Sequence, residues 1–159
     1  MKIAYSGSHG TGKTTSAYET CWFYKKQKNS SVYLISETIR ECPFPINQNG
    51  TAETNLWSIT TQLKKELEKS LIYDIIICDR PVIDTLAYCY IDCRELYYDV
   101  YPICKRHINT YDYIYFKSIQ NNDYLIDDGV RDMDTEYRQR IEDKLLSIYD
   151  EMRYKVIMI

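Results

Sequence analysis

Residues 7–14 read Gly-Ser-His-Gly-Thr-Gly-Lys-Thr. The stretch fits G-x-x-x-x-G-K-[ST] in full, the pattern of a loop that wraps a phosphate. Its flanks suit it: residues 2–6 ahead of it form a short apolar strand, and a helix is expected from about Lys13 to Lys28 behind it. The composition of the loop has a physical reason. Backbone curling tightly around a phosphate leaves no room for Cβ atoms, hence Gly7, Gly10 and Gly12. The amides of Gly10, Gly12, Lys13 and Thr14 can then converge at a helix N-terminus, where the dipole favours anions. Lys13 is placed to reach the β- and γ-phosphates of a nucleoside triphosphate, and the Thr14 hydroxyl to join a Mg²⁺ shell. Thr11 and Thr15 belong to the same cradle. His9 holds a variable position and is expected to line the phosphate with its backbone. The chain has only five glycines in 159 residues, so three of them in one loop is a concentrated use of backbone freedom.

Moving outward from the loop, strand-like and helix-like runs alternate. Val32–Ile35 reads as a strand and residues 42–51 as a loop, since two prolines and an Asn-Gly pair oppose either regular element. From Ala52 to Ser70, Leu56, Ile59, Leu63 and Leu67 recur at helical spacing and predict an apolar face. Asp74-Ile-Ile-Ile-Cys-Asp79 is an unbroken apolar run ending in an acid, the pattern of a strand buried on both sides of a parallel sheet. Residues 84–107 read as helical with a break near Pro102, Tyr111–Phe116 as a strand, and residues 118–134 as an acidic loop. A helix over Thr135–Met152 and a strand over Tyr154–Ile159 close the chain. The alternation predicts one α/β domain over residues 1–159, a three-layer P-loop NTPase with a five-stranded parallel sheet and a short lid at about 118–138.

In such sheets ligands bind beyond the carboxyl ends of the strands. Glu37 and Arg40 follow the second strand there, and Asp79 and Arg80 end the third. Asp79 stands where an acid would meet Mg²⁺ or its waters, and Glu37 where a base would meet an acceptor hydroxyl. Arg40 is a candidate grip on an acceptor phosphate or sugar. Arg131, with Arg138 seven residues on, suits a lid that closes over the γ-phosphate. Trp57 is the aromatic singled out to stack on an acceptor. The tyrosines crowding residues 88–101 read mainly as packing.

The bulk numbers remove other classes. Net charge is −3, with +3 over residues 1–50, −2 over 51–110 and −4 over 111–159. This charge pattern, without a basic stripe, opposes a long nucleic-acid groove. Six cysteines without a Cys-x-x-Cys pair, and an apolar start too short for a signal peptide, point to a reducing cytoplasm. No run approaches the roughly 20 apolar residues of a membrane span.

Together, residues 7–14, Ser36–Pro43, Asp79–Tyr88 and Asp128–Arg131 resemble the P-loop kinase-like ATPases grouped with nicotinamide-riboside kinase domains, often described only as AAA-type ATP-binding proteins. More broadly, the layout is similar to thymidylate kinase, deoxynucleoside kinases and the kinase domain of polynucleotide kinases. The resemblance implies ATP and Mg²⁺ as cofactors, Asp79 and Arg80 at the acceptor site and Arg131 in a lid. It implies phosphoryl transfer to a nucleoside, a nucleotide or a related small hydroxyl compound. Glu37 and Arg40 also match the spacing by which polynucleotide kinases place a base and a phosphate ligand, so a nucleic-acid 5′ end is an alternative acceptor. A regulatory ATP-binding module is the alternative from another class. In this group a loop after the fifth strand helps hold the adenine; here base contacts are expected from the lid side or the P-loop helix.

Overall fold

The computed structural model describes residues 1–27, 30–121, 124 and 132–159. Five parallel strands lie in the order β2-β3-β1-β4-β5: β1 Lys2–Ser6, β2 Val32–Ile35, β3 Ile75–Asp79, β4 Tyr113–Phe116 and β5 Ile157–Met158. The pleat sorts their side chains. Ile3, Tyr5, Ile75 and Ile77 face helix α1 (Lys13–Lys26), which packs Ala17 and Cys21 against them in return. Ala4, Ile76, Cys78, Ile114 and Phe116 face the larger core on the other side. Helices α2 (Ala52–Ser70), α3 (Val82–Asp92) and α5 (Thr135–Glu151) close that core, and α4 (Arg94–His107) packs on α3. The layers are helix, sheet, helix, as the alternation predicts. Among the described residues no helix is long and apolar enough to cross a membrane.

Three elements depart from expectation. The helical stretch after β3 breaks at Cys93 (φ −151°, ψ 89°), and Pro102 lies inside α4. Pro102 cannot donate to the carbonyl one turn back, but that residue, Tyr98, is exposed, so water can satisfy it. Strand β5 shrinks to two residues. Most consequential is α2. Its buried face is Thr54, Asn55, Ser58, Ile59, Gln62 and Glu66, while Leu56 and Leu67 point outward. Periodicity locates the helix, but Thr54, Asn55, Gln62 and Glu66 find partners that a hydrophobic pattern does not reveal.

Candidate active site

The strand order sets the site. With β1 between β3 and β4, the loop after β1 lies beside the ends of β3 and β4, and the end of β2 lies one strand further out. The loop residues are shaped as the motif demands. Gly7, Gly10 and Gly12 all have positive φ, and Gly12 caps α1 in the left-handed region. Gly7 has a second constraint. A Cβ there would lie 2.4 Å from the Lys117 carbonyl oxygen, so residue 7 is glycine because the chain leaving β4 passes against it.

Lys13 is buried, and its ammonium donates to the Ser8 carbonyl and, at 3.1 Å, to Thr11 Oγ1. Burial, then the Arg80 charge, lowers its pKa; an incoming polyphosphate would restore its charge. The loop is clamped from behind by Arg138, whose Nε donates to the His9 carbonyl at 2.9 Å and Nη2 to the Gly10 carbonyl at 3.2 Å. Ser8 Oγ returns a bond to the Arg138 carbonyl at 2.9 Å. This corrects the lid expectation for Arg138. The residue sits in the first turn of α5, is buried, and acts on the loop backbone. Residues 125–131, with Arg131 and Gly129, lie outside the described residues.

Beside the loop, Arg80 occupies φ +84°, a conformation that costs a non-glycine residue about 1–3 kcal/mol. Its side chain explains what that backbone accomplishes. Arg80 Nε donates to Glu37 Oε1 at 2.6 Å, and Nη1 to the Gly7 carbonyl and to Asp84 Oδ2, both at 3.1 Å. Arg40 donates to the other Glu37 oxygen at 2.8 Å. Burial works to raise the Glu37 pKa. The Arg80 charge and hydrogen bond, then Lys13 and Arg40, outweigh it and hold the carboxyl down at about 2. Glu37 is therefore a firmly ionised acceptor of hydrogen bonds and a weak base. Asp84 is also buried and accepts Ser6 Oγ at 2.5 Å. It was not among the residues expected from sequence; its signal is the spacing Asp-Arg-Pro-x-x-Asp, which sets it one helical turn beyond Arg80.

Asp79 is buried, and burial followed by the nearby Glu37 charge raises its pKa. Its Oδ1 has no hydrogen-bond partner among the described residues, and the Thr14 hydroxyl lies within its reach. A carboxylate and a hydroxyl at the mouth of a phosphate loop are hard oxygen donors. They fit Mg²⁺, which takes one or two protein oxygens and fills its shell from phosphates and water.

Two cavities adjoin at this point. One, of about 520 Å³, runs from Gly10–Thr15 past Glu37 and Arg80, with Glu19, Lys117 and Tyr124 at its rim. The second runs from Glu37, Arg40 and Arg80 toward His9, Tyr88 and Asp92. Glu37 and Arg80 line both. His9 faces the second cavity, with Nδ1 3.3 Å from the Tyr88 hydroxyl. Burial, then the Arg80 and Lys13 charges, depresses it to about 4, so it is neutral at pH 7. Its backbone meets Arg138. Trp57 does not line this cavity: it lies off the buried stripe of α2. The aromatic in that place is Tyr88, whose ring centre lies 6.0 Å from the Arg80 guanidinium. Tyr90, Tyr97, Tyr98 and Tyr101 pack on one another as expected.

A family model described as an AAA domain matches residues 2–159. The chain belongs to this AAA domain family. No curated protein matches it. Among solved structures it is similar to deoxyadenosine kinase from M. mycoides, at 18% identity and TM-score 0.64 over 100% of this chain and 88% of that one. It is similar to thymidylate kinase from Ehrlichia chaffeensis, at 22% identity and TM-score 0.66 over 100% and 86%. It is also similar to the NadR protein in complex with NR, at 21% identity and TM-score 0.71, over 99% of this chain and 45% of that one. At these identities the likeness is one of fold. This member of the AAA domain family is built like the P-loop kinases, with its loop and paired cavities at the carboxyl edge of the sheet.

Proposed function

We propose that the chain is an ATP- and Mg²⁺-dependent phosphotransferase acting on a nucleoside, nucleotide or related small hydroxyl acceptor. The observation that carries this reading is the junction itself. Glu37 and Arg80 stand between a phosphate-loop cavity and a second, aromatic-lined cavity, where a transferring phosphoryl group would pass. Phosphoryl transfer asks a protein mainly for positioning and charge neutralisation. Lys13 and Arg80 supply the positive charge, Thr14 and Asp79 would hold Mg²⁺, and the bound ion would supply further neutralisation of phosphate charge. Glu37, ionised and held by Arg80 and Arg40, orients the attacking hydroxyl through a hydrogen bond more than it removes its proton. The rim residues Glu19, Lys117 and Tyr124 are the nearest groups for the donor's base. Tyr88 walls the acceptor side. Six free thiols fit a cytoplasmic setting.

The test is incubation with ATP radiolabelled at the γ-phosphate against nucleosides, nucleoside monophosphates and short oligonucleotides with a free 5′-hydroxyl. Label on a nucleoside or monophosphate is expected, and Glu37→Ala should abolish it while ATP still binds. Label confined to oligonucleotide ends would replace the small acceptor with a nucleic-acid end. Tight ATP binding with no transfer to any acceptor would make the chain a regulatory module.

A further inference from the structure

The inward face of α2 carries a polar chain that ends at the junction just described. Glu66, fully buried, accepts from Lys2 Nζ at 3.0 Å, His107 Nε2 at 2.8 Å, Tyr111 Oη at 2.6 Å and Gln62 Nε2 at 2.8 Å. With four donors the carboxylate is saturated, and it anchors the Gln62 amide. Gln62, itself buried, then reaches both strand ends. Its Nε2 donates to the Arg80 carbonyl at 3.2 Å, and its Oε1 accepts Thr38 Oγ1 at 2.5 Å. One side chain therefore ties the residue after Glu37 to the backbone of Arg80. The bond to the Arg80 carbonyl falls on the residue with φ +84°, whose conformation aims the guanidinium at Glu37, Gly7 and Asp84. A strained residue persists only where its surroundings over-determine it. Here the fixings are Gln62 on the Arg80 carbonyl and the Tyr5 carbonyl on the Arg80 amide at 3.2 Å.

We propose that Gln62 is a positioning residue for phosphoryl transfer, which holds the Glu37–Arg80 pair at the junction of the two cavities by bonding Thr38 and the Arg80 backbone together. It touches neither cavity and acts through its partners. The proposal rests on the phosphotransfer reading above and adds a residue on a third element to that site. It also accounts for the inward placement of Gln62 and Glu66 on α2.

Two variants of the full chain test it. Gln62→Met keeps length and volume and removes all three bonds; Thr38→Val removes only the bond to Oε1. With the acceptor found by the labelling panel, Gln62→Met should lower kcat for transfer by about 100-fold, the order expected of a misplaced reacting group. The KM and Kd for ATP should stay within about twofold, because the phosphate loop keeps its own braces. Thr38→Val should lower kcat by about tenfold. The double variant should be no worse than Gln62→Met, since both act through one bond network. Rates are taken per folded molecule, with thermal midpoints measured alongside. Unchanged kcat with only a lowered midpoint would overturn the proposal and leave Gln62 a packing residue. An equal rise in ATP Kd would overturn it too, placing the effect on the loop. If Gln62→Met does not fold, Thr38→Val decides: a wild-type kcat overturns the proposal. Wild-type protein that transfers to no acceptor would refute the phosphotransfer reading, whereas active wild type with fully active variants would refute only the role of Gln62.

Discussion

Glu37→Gln removes a charge held between two arginines while keeping the side chain's shape. In the folded protein the carboxyl is held at about 2 against an ordinary 4.5, with burial opposing and the Arg80 and Arg40 contacts prevailing. At about 1.4 kcal/mol per pKa unit, that difference corresponds to about 3 kcal/mol of stability in favour of the charged, folded form. The side chain is only 13% exposed, so solvent screening removes little of it. A carboxylate whose pKa is depressed on folding contributes this stability above pH 4.5 and loses it as pH falls toward 2. The expected result follows. In urea denaturation at pH 7 the wild type exceeds Glu37→Gln by about 3 kcal/mol, and near pH 3 the gap narrows to about half that or less. Unfolding curves followed by tryptophan fluorescence from pH 7 down to pH 3 measure it. A gap that stays constant over this range would refute the reasoning, because the loss would then come from packing or an unpaired Arg80 and not from ionisation.

Arg138→Met should weaken ATP binding by about tenfold in calorimetry, since the His9 and Gly10 carbonyls lose their clamp although the arginine lies behind the loop; unchanged affinity would show that the loop holds its shape alone. Gly7→Ala should destabilise the fold by about 3 kcal/mol in thermal or chemical unfolding, because a Cβ would lie 2.4 Å from the Lys117 carbonyl oxygen; a wild-type midpoint would refute that close approach. Tyr88→Ala should raise the acceptor KM several-fold without moving the ATP KM, whereas Trp57→Ala should move neither; the reverse pattern would return Trp57 to the acceptor site.

Much of this molecule was legible in one dimension, and the reason is local physics. The run Gly7–Thr14 needs only its own backbone and the helix it opens to form an anion cradle, so its meaning survives without neighbours. The run from Ile75 to Cys78 declares burial on both faces by lacking charged and strongly polar residues before the acid that ends it, which identifies a central parallel strand. Glu37, Arg80 and Asp79 could be nominated because strand ends are where such sheets bind. The features of the site that escaped depend on long separations. Arg138 looks like a lid arginine until α5 folds back and presents it to carbonyls near residue 10. The break at Cys93 loses in sequence to the more conspicuous Pro102, whose missing donor faces water.

The sequence by itself determined the loop and the alternation of elements, because each follows from spacing along one strand or helix. Only the tertiary structure decided which groups meet. Placing β1 between β3 and β4, with β2 outside β3, brings Glu37 within 2.6 Å of an arginine 43 residues away. The same arrangement turns a polar stripe of α2 into the support beneath them. Hydrogen bonds between distant segments leave no period in a sequence. They are chosen when burial forces each polar group to find a partner, and that choice is made by the fold.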